Sequence, residues 1–136
     1  MSSDDELEKI KERMLSRMMA APDTGPWKDG EILELTDPNF DDAISKARFP
    51  VFVDFWADWC APCKMMSPIF EAMTREYAGK AYFAKIDVDA NQMTARRYGV
   101  MSIPNFIIFK EDKPVERVVG AVGKLGLERA LRKYVG

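Results

Sequence analysis

The run Val51-Phe52-Val53-Asp54-Phe55 constrains the fold of this chain more than any other segment. It is apolar at every position but Asp54. A strand with one solvated face alternates polar and apolar residues, whereas a strand covered on both faces reads as a continuous apolar run. Pro50 opens the run, and a long helical pattern follows from about Cys60 to Tyr77, closed by Gly79. A second buried run, Tyr82 to Val88, comes next. Strands separated by helices of this length imply parallel pairing in a sheet with helices on both faces.

The remaining segments extend that pattern. Ile32 to Leu35 reads as a short strand, and Asp37 can cap a helix with Pro38 in its first turn, running to about Ala47. Gln92 to Tyr98 is a short helix ending at Gly99. Phe106 to Phe109 is a strand, Glu111-Asp112 a turn, and Val115 to Val119 its hairpin partner. A last helix covers about Leu125 to Tyr134, and Pro68 should kink the long one. The order is β-α-β-α-β-α-β-β-α, a mixed sheet in an α/β domain. Phe52, Phe55, Trp56, Phe106, Ile107, Ile108 and Phe109 read as core, with Met65, Met66 and Met73 as gap-fillers along the long helix.

Ahead of this domain lies a different kind of segment. Asp4 to Met19 reads as a helix, with Ser3 and Glu6 in capping-box spacing and acids leading bases along its length. Leu7, Ile10, Met14 and Met18 form one narrow apolar stripe, for which docking on the chain's own domain is the expectation. Residues 21–30 carry two prolines and two glycines and read as a linker or loop. The expected division is therefore an N-terminal extension over 1–30 and a domain over 31–136.

Composition removes several classes of function. The 136 residues suffice for one domain with its own core. A net charge of -2 gives no basic footprint for nucleic acid, and no apolar run approaches a membrane span. The N-terminus opens on Asp4, Asp5 and Glu6 rather than a basic, then apolar, leader, so a cytoplasmic location is expected. The chain holds two cysteines and no histidine. That set cannot build a disulfide framework or a four-ligand zinc site, so no metal is expected. In a reducing compartment, a close cysteine pair points to catalysis.

That pair lies in Trp59-Cys60-Ala61-Pro62-Cys63-Lys64, between a buried strand and a long helix. Ligands and reactive groups of α/β sheets gather at such strand ends. Residues i and i+3 of a first helical turn are near enough for a disulfide. Cys60 meets the free N–H groups and dipole of the helix start, which favour a thiolate. Pro62 costs no hydrogen bond there. Asp54, inside the apolar run, is expensive to ionise without a partner, so burial should raise its pKa toward neutrality. Lys85, in the strand expected alongside, is the candidate partner, which leaves Asp54 either a proton carrier or a buried structural acid. Trp59 beside a nucleophile suits recognition, with packing alone as the other reading.

At these residues the chain resembles the thioredoxin family. The likeness covers about 31–136 and rests on Val53-Asp54-Phe55-Trp56-Ala57-Asp58-Trp59-Cys60-Ala61-Pro62-Cys63-Lys64, on Ile103-Pro104 and on Val119-Gly120-Ala121. It implies a thioredoxin fold, a central mixed five-stranded sheet flanked by four helices, here with an added N-terminal helix. It implies that Cys60 attacks, that Cys63 resolves, and that Asp54 exchanges a proton with Cys63 by way of water. It also implies a cis Ile103-Pro104 bond facing the cysteines. Substrate would meet Trp59, Ala61, Pro62, Ile103, Pro104, Gly120 and Ala121. The chain departs from the usual pattern at Ala61 for glycine, at Asn105 for threonine and at Asp112 for a hairpin glycine.

The implied activity is reduction of protein disulfides by dithiol–disulfide exchange, with electrons supplied by a thioredoxin reductase-type donor. No cofactor is needed beyond the Cys60–Cys63 disulfide. An oxidase or isomerase is the redox alternative. A binding module that uses the N-terminal helix to recruit a partner is the alternative from another class.

Overall fold

The computed structural model describes residues 3–19 and 24–136, with side chains of the first helix described over 5–14. Its elements are α1 (Ser3–Met19), β1 (Ile32–Leu35), α2 (Phe40–Lys46), β2 (Val51–Trp56), α3 (Ala61–Glu76), β3 (Tyr82–Asp87), α4 (Gln92–Arg97), β4 (Asn105–Lys110), β5 (Lys113–Val119) and α5 (Gly123–Leu131). The five strands form one sheet in the order β1-β3-β2-β4-β5. β3 pairs parallel with β1 and β2, while β4 runs antiparallel to β2 and β5. The sheet is the mixed one expected, with β2 at its centre and buried from Val51 to Phe55.

Strand alternation divides the core into two layers. Val51, Val53 and Phe55 of β2 and Ile107 and Phe109 of β4 pack with Phe40, Ala43 and Ile44 of α2 and Ala95 of α4. On the other face, Phe52, Phe83, Phe106 and Ile108 meet Met66, Phe70 and Met73 of α3 and Leu127, Ala130 and Leu131 of α5. Phe70 anchors this second layer, its ring edge-on to Phe52 at 5.8 Å and to Phe83 at 5.2 Å. Such pairs add to the free energy of area burial.

Several expectations need correction. Met66 and Met73 are core, but Met65 is 68% exposed because it falls off the stripe formed by Cys63, Met66, Phe70 and Met73. Asp37 does not cap α2. Its carboxylate instead accepts the backbone N–H groups of Met93 and Thr94 and the Thr94 hydroxyl, closing the start of α4. Trp27, within the stretch read as a linker, is buried, stacks on Tyr82 at 5.1 Å and donates its indole N–H to the Ala43 carbonyl at 2.7 Å. β5 begins at Lys113 and accommodates Pro114 because it is an edge strand with a register shift opposite Ile108 and Phe109. Glu111 and Asp112 both have positive φ, 53° and 69°, the geometry of a two-residue hairpin turn.

α1 forms as read, but Leu7, Ile10 and Met14 are 50%, 49% and 56% exposed. The described part of the stripe is therefore not covered by the domain, contrary to the docking expected. The capping role of Ser3 and the position of Met18 lie outside the described side chains.

Candidate active site

The chain leaves β2 at Trp56 and turns through Ala57-Asp58-Trp59 into α3. Cys60 is the N-cap residue, in an extended backbone conformation, and its Sγ accepts the Cys63 N–H at 3.3 Å. That N–H is one of the donors a helix start leaves unpaired. A sulfur thus stands where serine or aspartate oxygens commonly cap helices. The same donor and the helix dipole favour negative charge on Cys60 once the pair is reduced. Pro62, in the first turn, leaves this arrangement intact.

Cys60 and Cys63 are joined as a disulfide, their Cα atoms 5.3 Å apart, a separation in the ordinary range for such bonds. In this form both are buried, Cys60 at 3% exposure and Cys63 at 1%. The cysteines pack with Ala57, and Trp56, Val88 and Ile103 close around them. Ala61 and Pro62 are exposed beside them.

Asp54 lies on the α3 face of β2, the face of Phe52. It is 4% exposed, and its Oδ1 has no hydrogen-bond partner among the described residues. Burial pushes its carboxyl up from 3.8 to about 7, although Lys85 pulls in the opposite direction. The two residues are register partners in β2 and β3. No ion pair between them is formed among the described residues. The Lys85 ammonium instead lies over the Trp56 ring, 5.3 Å from its centroid. Lys85 therefore acts on Asp54 through space, and the direct pairing that the alternative, structural reading of Asp54 calls for is absent among the described residues.

The Ile103–Pro104 peptide bond is cis, as the resemblance implied. The Pro104 carbonyl accepts the Gly120 N–H at 2.8 Å, tying the entry of β4 to the exit of β5. Gly120 has a φ of 97°, and nothing lies within 4 Å of where a Cβ would stand. Gly120 is half-buried, and Ala121 beside it is exposed. Asn105 is 2% exposed with an Oδ1 that has no partner among the described residues, and it opposes Phe55, so its side chain belongs to the sheet face away from Asp54.

A groove of about 350 Å³ opens next to the cysteines, lined by Trp59, Val88, Val100, Met101, Ser102 and Ile103. Trp59 is 70% exposed and Met101 93%. Sequence reasoning found Trp59 and Ile103 but missed Met101 and also Asp89, whose Oδ2 accepts the Trp59 indole N–H at 2.8 Å. Neither carries a local sequence signal, since both reach the groove through loop geometry. Among the described residues, no group of His, Cys, Asp or Glu could hold a metal ion, and no helix is long and apolar enough to cross a membrane.

Two sulfurs that close to a disulfide within one helical turn, under an exposed apolar groove, make this chain a thiol–disulfide oxidoreductase. The model of the thioredoxin family matches residues 31–133. A thioredoxin of Staphylococcus saprophyticus is 46% identical over 104 residues, covering 76% of this chain and 98% of the relative. A thioredoxin of Mycobacterium tuberculosis is 47% identical over 103 residues, covering 76% and 89%. One from Staphylococcus aureus is 45% identical over 104 residues, covering 76% and 98%. The chain belongs to the thioredoxin family.

Proposed function

We propose that the chain is a general protein-disulfide reductase and electron carrier, in which Cys60 is the nucleophile and Cys63 the resolving thiol. The observation that carries this reading is the capping geometry: the Cys60 sulfur terminates a helix and accepts the Cys63 N–H. In the dithiol form, the Cys60 thiolate attacks one sulfur of a substrate disulfide. The substrate S–S bond breaks, one substrate thiolate leaves and takes a proton, and a mixed disulfide forms. Cys63, losing its proton to Asp54 by way of water, attacks the Cys60 sulfur. The second substrate thiol leaves, and the Cys60–Cys63 disulfide remains, two electrons having passed to the substrate.

Asp54 suits the proton step because burial holds its carboxyl near 7, where it can both accept and donate. Lys85 tunes it through space and keeps the ionised form accessible. Trp59, Ala61, Pro62, Ile103, Gly120 and Ala121 form the docking surface, with Pro104 buried behind Ile103, and it suits main-chain recognition of an extended segment and tolerates many sequences. A thioredoxin reductase-type donor restores the dithiol, no cofactor beyond the disulfide takes part, and the work is done in the cytoplasm. Residues 31–136 are the catalytic domain, and residues 1–30 form an extension that joins its core at Trp27.

The test is reduction of insulin disulfides by the pre-reduced chain. The wild type should act stoichiometrically without added metal or cofactor. Asp54→Asn should slow the reaction about tenfold or more between pH 6 and 9. An unchanged rate across that window would make Asp54 a structural residue only.

A further inference from the structure

Sulfur in this fold divides into a protected set and an exposed one. Cys60 and Cys63 are joined and buried, and Met66 and Met73 lie in the core. Three further methionines stand at the end of the sheet where β2 and β3 finish. Met65 is near the start of α3, Met93 is in the first turn of α4, and Met101 is in the loop that leads into β4. Their exposures are 68%, 75% and 93%. An exposed thioether is open to oxidation to the sulfoxide, whereas packing shields a buried one.

Met101 differs from Met65 and Met93 in what it borders. It lines the groove beside the cysteines together with Val88, Val100 and Ile103. Val88 and Ile103 also pack around the cysteine pair. The lining is poor in donors. The Trp59 indole N–H is already given to Asp89, which leaves the Ser102 hydroxyl as the side-chain donor there. A methionine offers this wall a flexible apolar surface, and its sulfoxide a polar one. Water satisfies the sulfoxide oxygen while the wall is open. An apolar segment docked over it expels that water and leaves the oxygen short of partners, which costs free energy.

We propose that Met101 is an oxidation site that controls docking: a hydroperoxide converts its thioether to the sulfoxide, and the sulfoxide weakens the hold on protein substrates while the cysteine pair stays intact. In that step a sulfur lone pair attacks the terminal peroxide oxygen. The S–O bond forms and the O–O bond breaks. The thioether loses two electrons to the peroxide, and the proton of the transferred hydroxyl passes to the leaving oxygen, which departs as water when the oxidant is hydrogen peroxide. The inference rests on the reductase reading above and adds a control on that same site.

The experiment treats the disulfide form, in which the cysteines are protected, with dilute hydrogen peroxide. Wild type and Met101→Leu are each compared with their own untreated sample. Mass spectrometry locates the oxygen, since the tryptic peptide 98–110 has Met101 as its single methionine. Insulin reduction is then measured in the steady state with dithiothreitol, which restores the dithiol and leaves the sulfoxide in place. The peptide holding Met101 should gain one oxygen before those holding Met65 and Met93. Treatment should raise the wild-type KM for insulin about fivefold at unchanged kcat, leave the glutathione equilibrium of the cysteine pair unmoved, and leave the KM of Met101→Leu where it was. Methionine sulfoxide reductases for both epimers should return the wild-type KM to its starting value. Earlier oxidation of Met65 or Met93 would overturn the inference, as would oxidation of Met101 without a change in KM, or an equal rise in Met101→Leu. In each of those cases the reductase reading stands. If untreated wild type does not reduce insulin, that reading fails and takes this inference with it.

Discussion

Replacing Asp54 by asparagine isolates the energetic consequence of putting a carboxyl inside the central strand. In the folded chain its pKa is pushed up to about 7, while the unfolded chain titrates near 3.8. The folded state therefore binds more protons than the unfolded state between those values, and stability falls as pH rises through that window. The group costs nothing below about pH 3.8 and its full penalty above about pH 7. That penalty is about 4 kcal/mol, at roughly 1.4 kcal/mol for each pH unit between the two values. The substituted asparagine does not titrate. Any fixed cost of its buried amide, left as short of partners as Asp54 Oδ1 is now, is the same at every pH. The quantity to measure is the change in the stability gap between variant and wild type across pH. Urea unfolding of both oxidised proteins at pH 4.5 and 8.5 gives it directly. The gap should move in favour of the variant by about 3 kcal/mol between the two pH values. A gap that stays constant would refute the raised pKa, and with it the argument that burial prepares Asp54 for proton transfer.

Phe70→Ala should destabilise the chain by about 3–5 kcal/mol in urea unfolding, because it opens a cavity among Phe52, Phe83 and Phe106; a loss under 1 kcal/mol would mean the second core layer is not packed as described. Removal of residues 1–20 should shift the melting temperature by less than about 2 °C in calorimetry, since Leu7, Ile10 and Met14 contribute little buried area; a larger fall would show that α1 docks on the domain. Alkylation of the reduced chain with iodoacetamide should modify Cys60 before Cys63, because Cys60 occupies the helix cap; the reverse order would contradict the assignment of nucleophile. Equilibration with glutathione buffers should give a reducing potential near −270 mV, the general thioredoxin value rather than one worked from this structure; a potential as high as that of an oxidase would replace the reductase reading with the oxidase alternative.

The residues proposed to carry the chemistry are legible because each announces itself locally. Asp54 interrupts an apolar run, and Cys60 and Cys63 straddle a helix start marked by Pro62. Core periodicity places β2, α3 and β3 to within a residue or two. What sequence does not convey is contact across the fold. Asp37 sits beside a proline in cap-like spacing, yet its carboxylate serves α4, more than fifty residues on. Trp27 lies among prolines and glycines that read as linker, but the cleft between α2 and Tyr82 receives its ring. Sequence starts α5 late, at Leu125, because Val122-Gly123 offers no capping side chain. Lys85 and Asp54 do lie on adjacent strands as expected, but side-chain direction carries the ammonium over Trp56 rather than onto the carboxylate. Asp89 and Met101 reach the groove only through loop geometry.

The central claim is that Cys60 attacks and Cys63 resolves, and trapping the mixed disulfide tests it most directly. Cys63→Ser should react with insulin and stop at a covalent adduct through Cys60, visible as an intact mass and released by dithiothreitol. Cys60→Ser should form no such adduct, since the remaining thiol lies inside the first turn of α3 and lacks the cap position that favours a thiolate at Cys60. Both variants should lose catalytic turnover. An adduct that forms through Cys63 in the Cys60→Ser chain, while Cys63→Ser forms none, would reverse the roles assigned here.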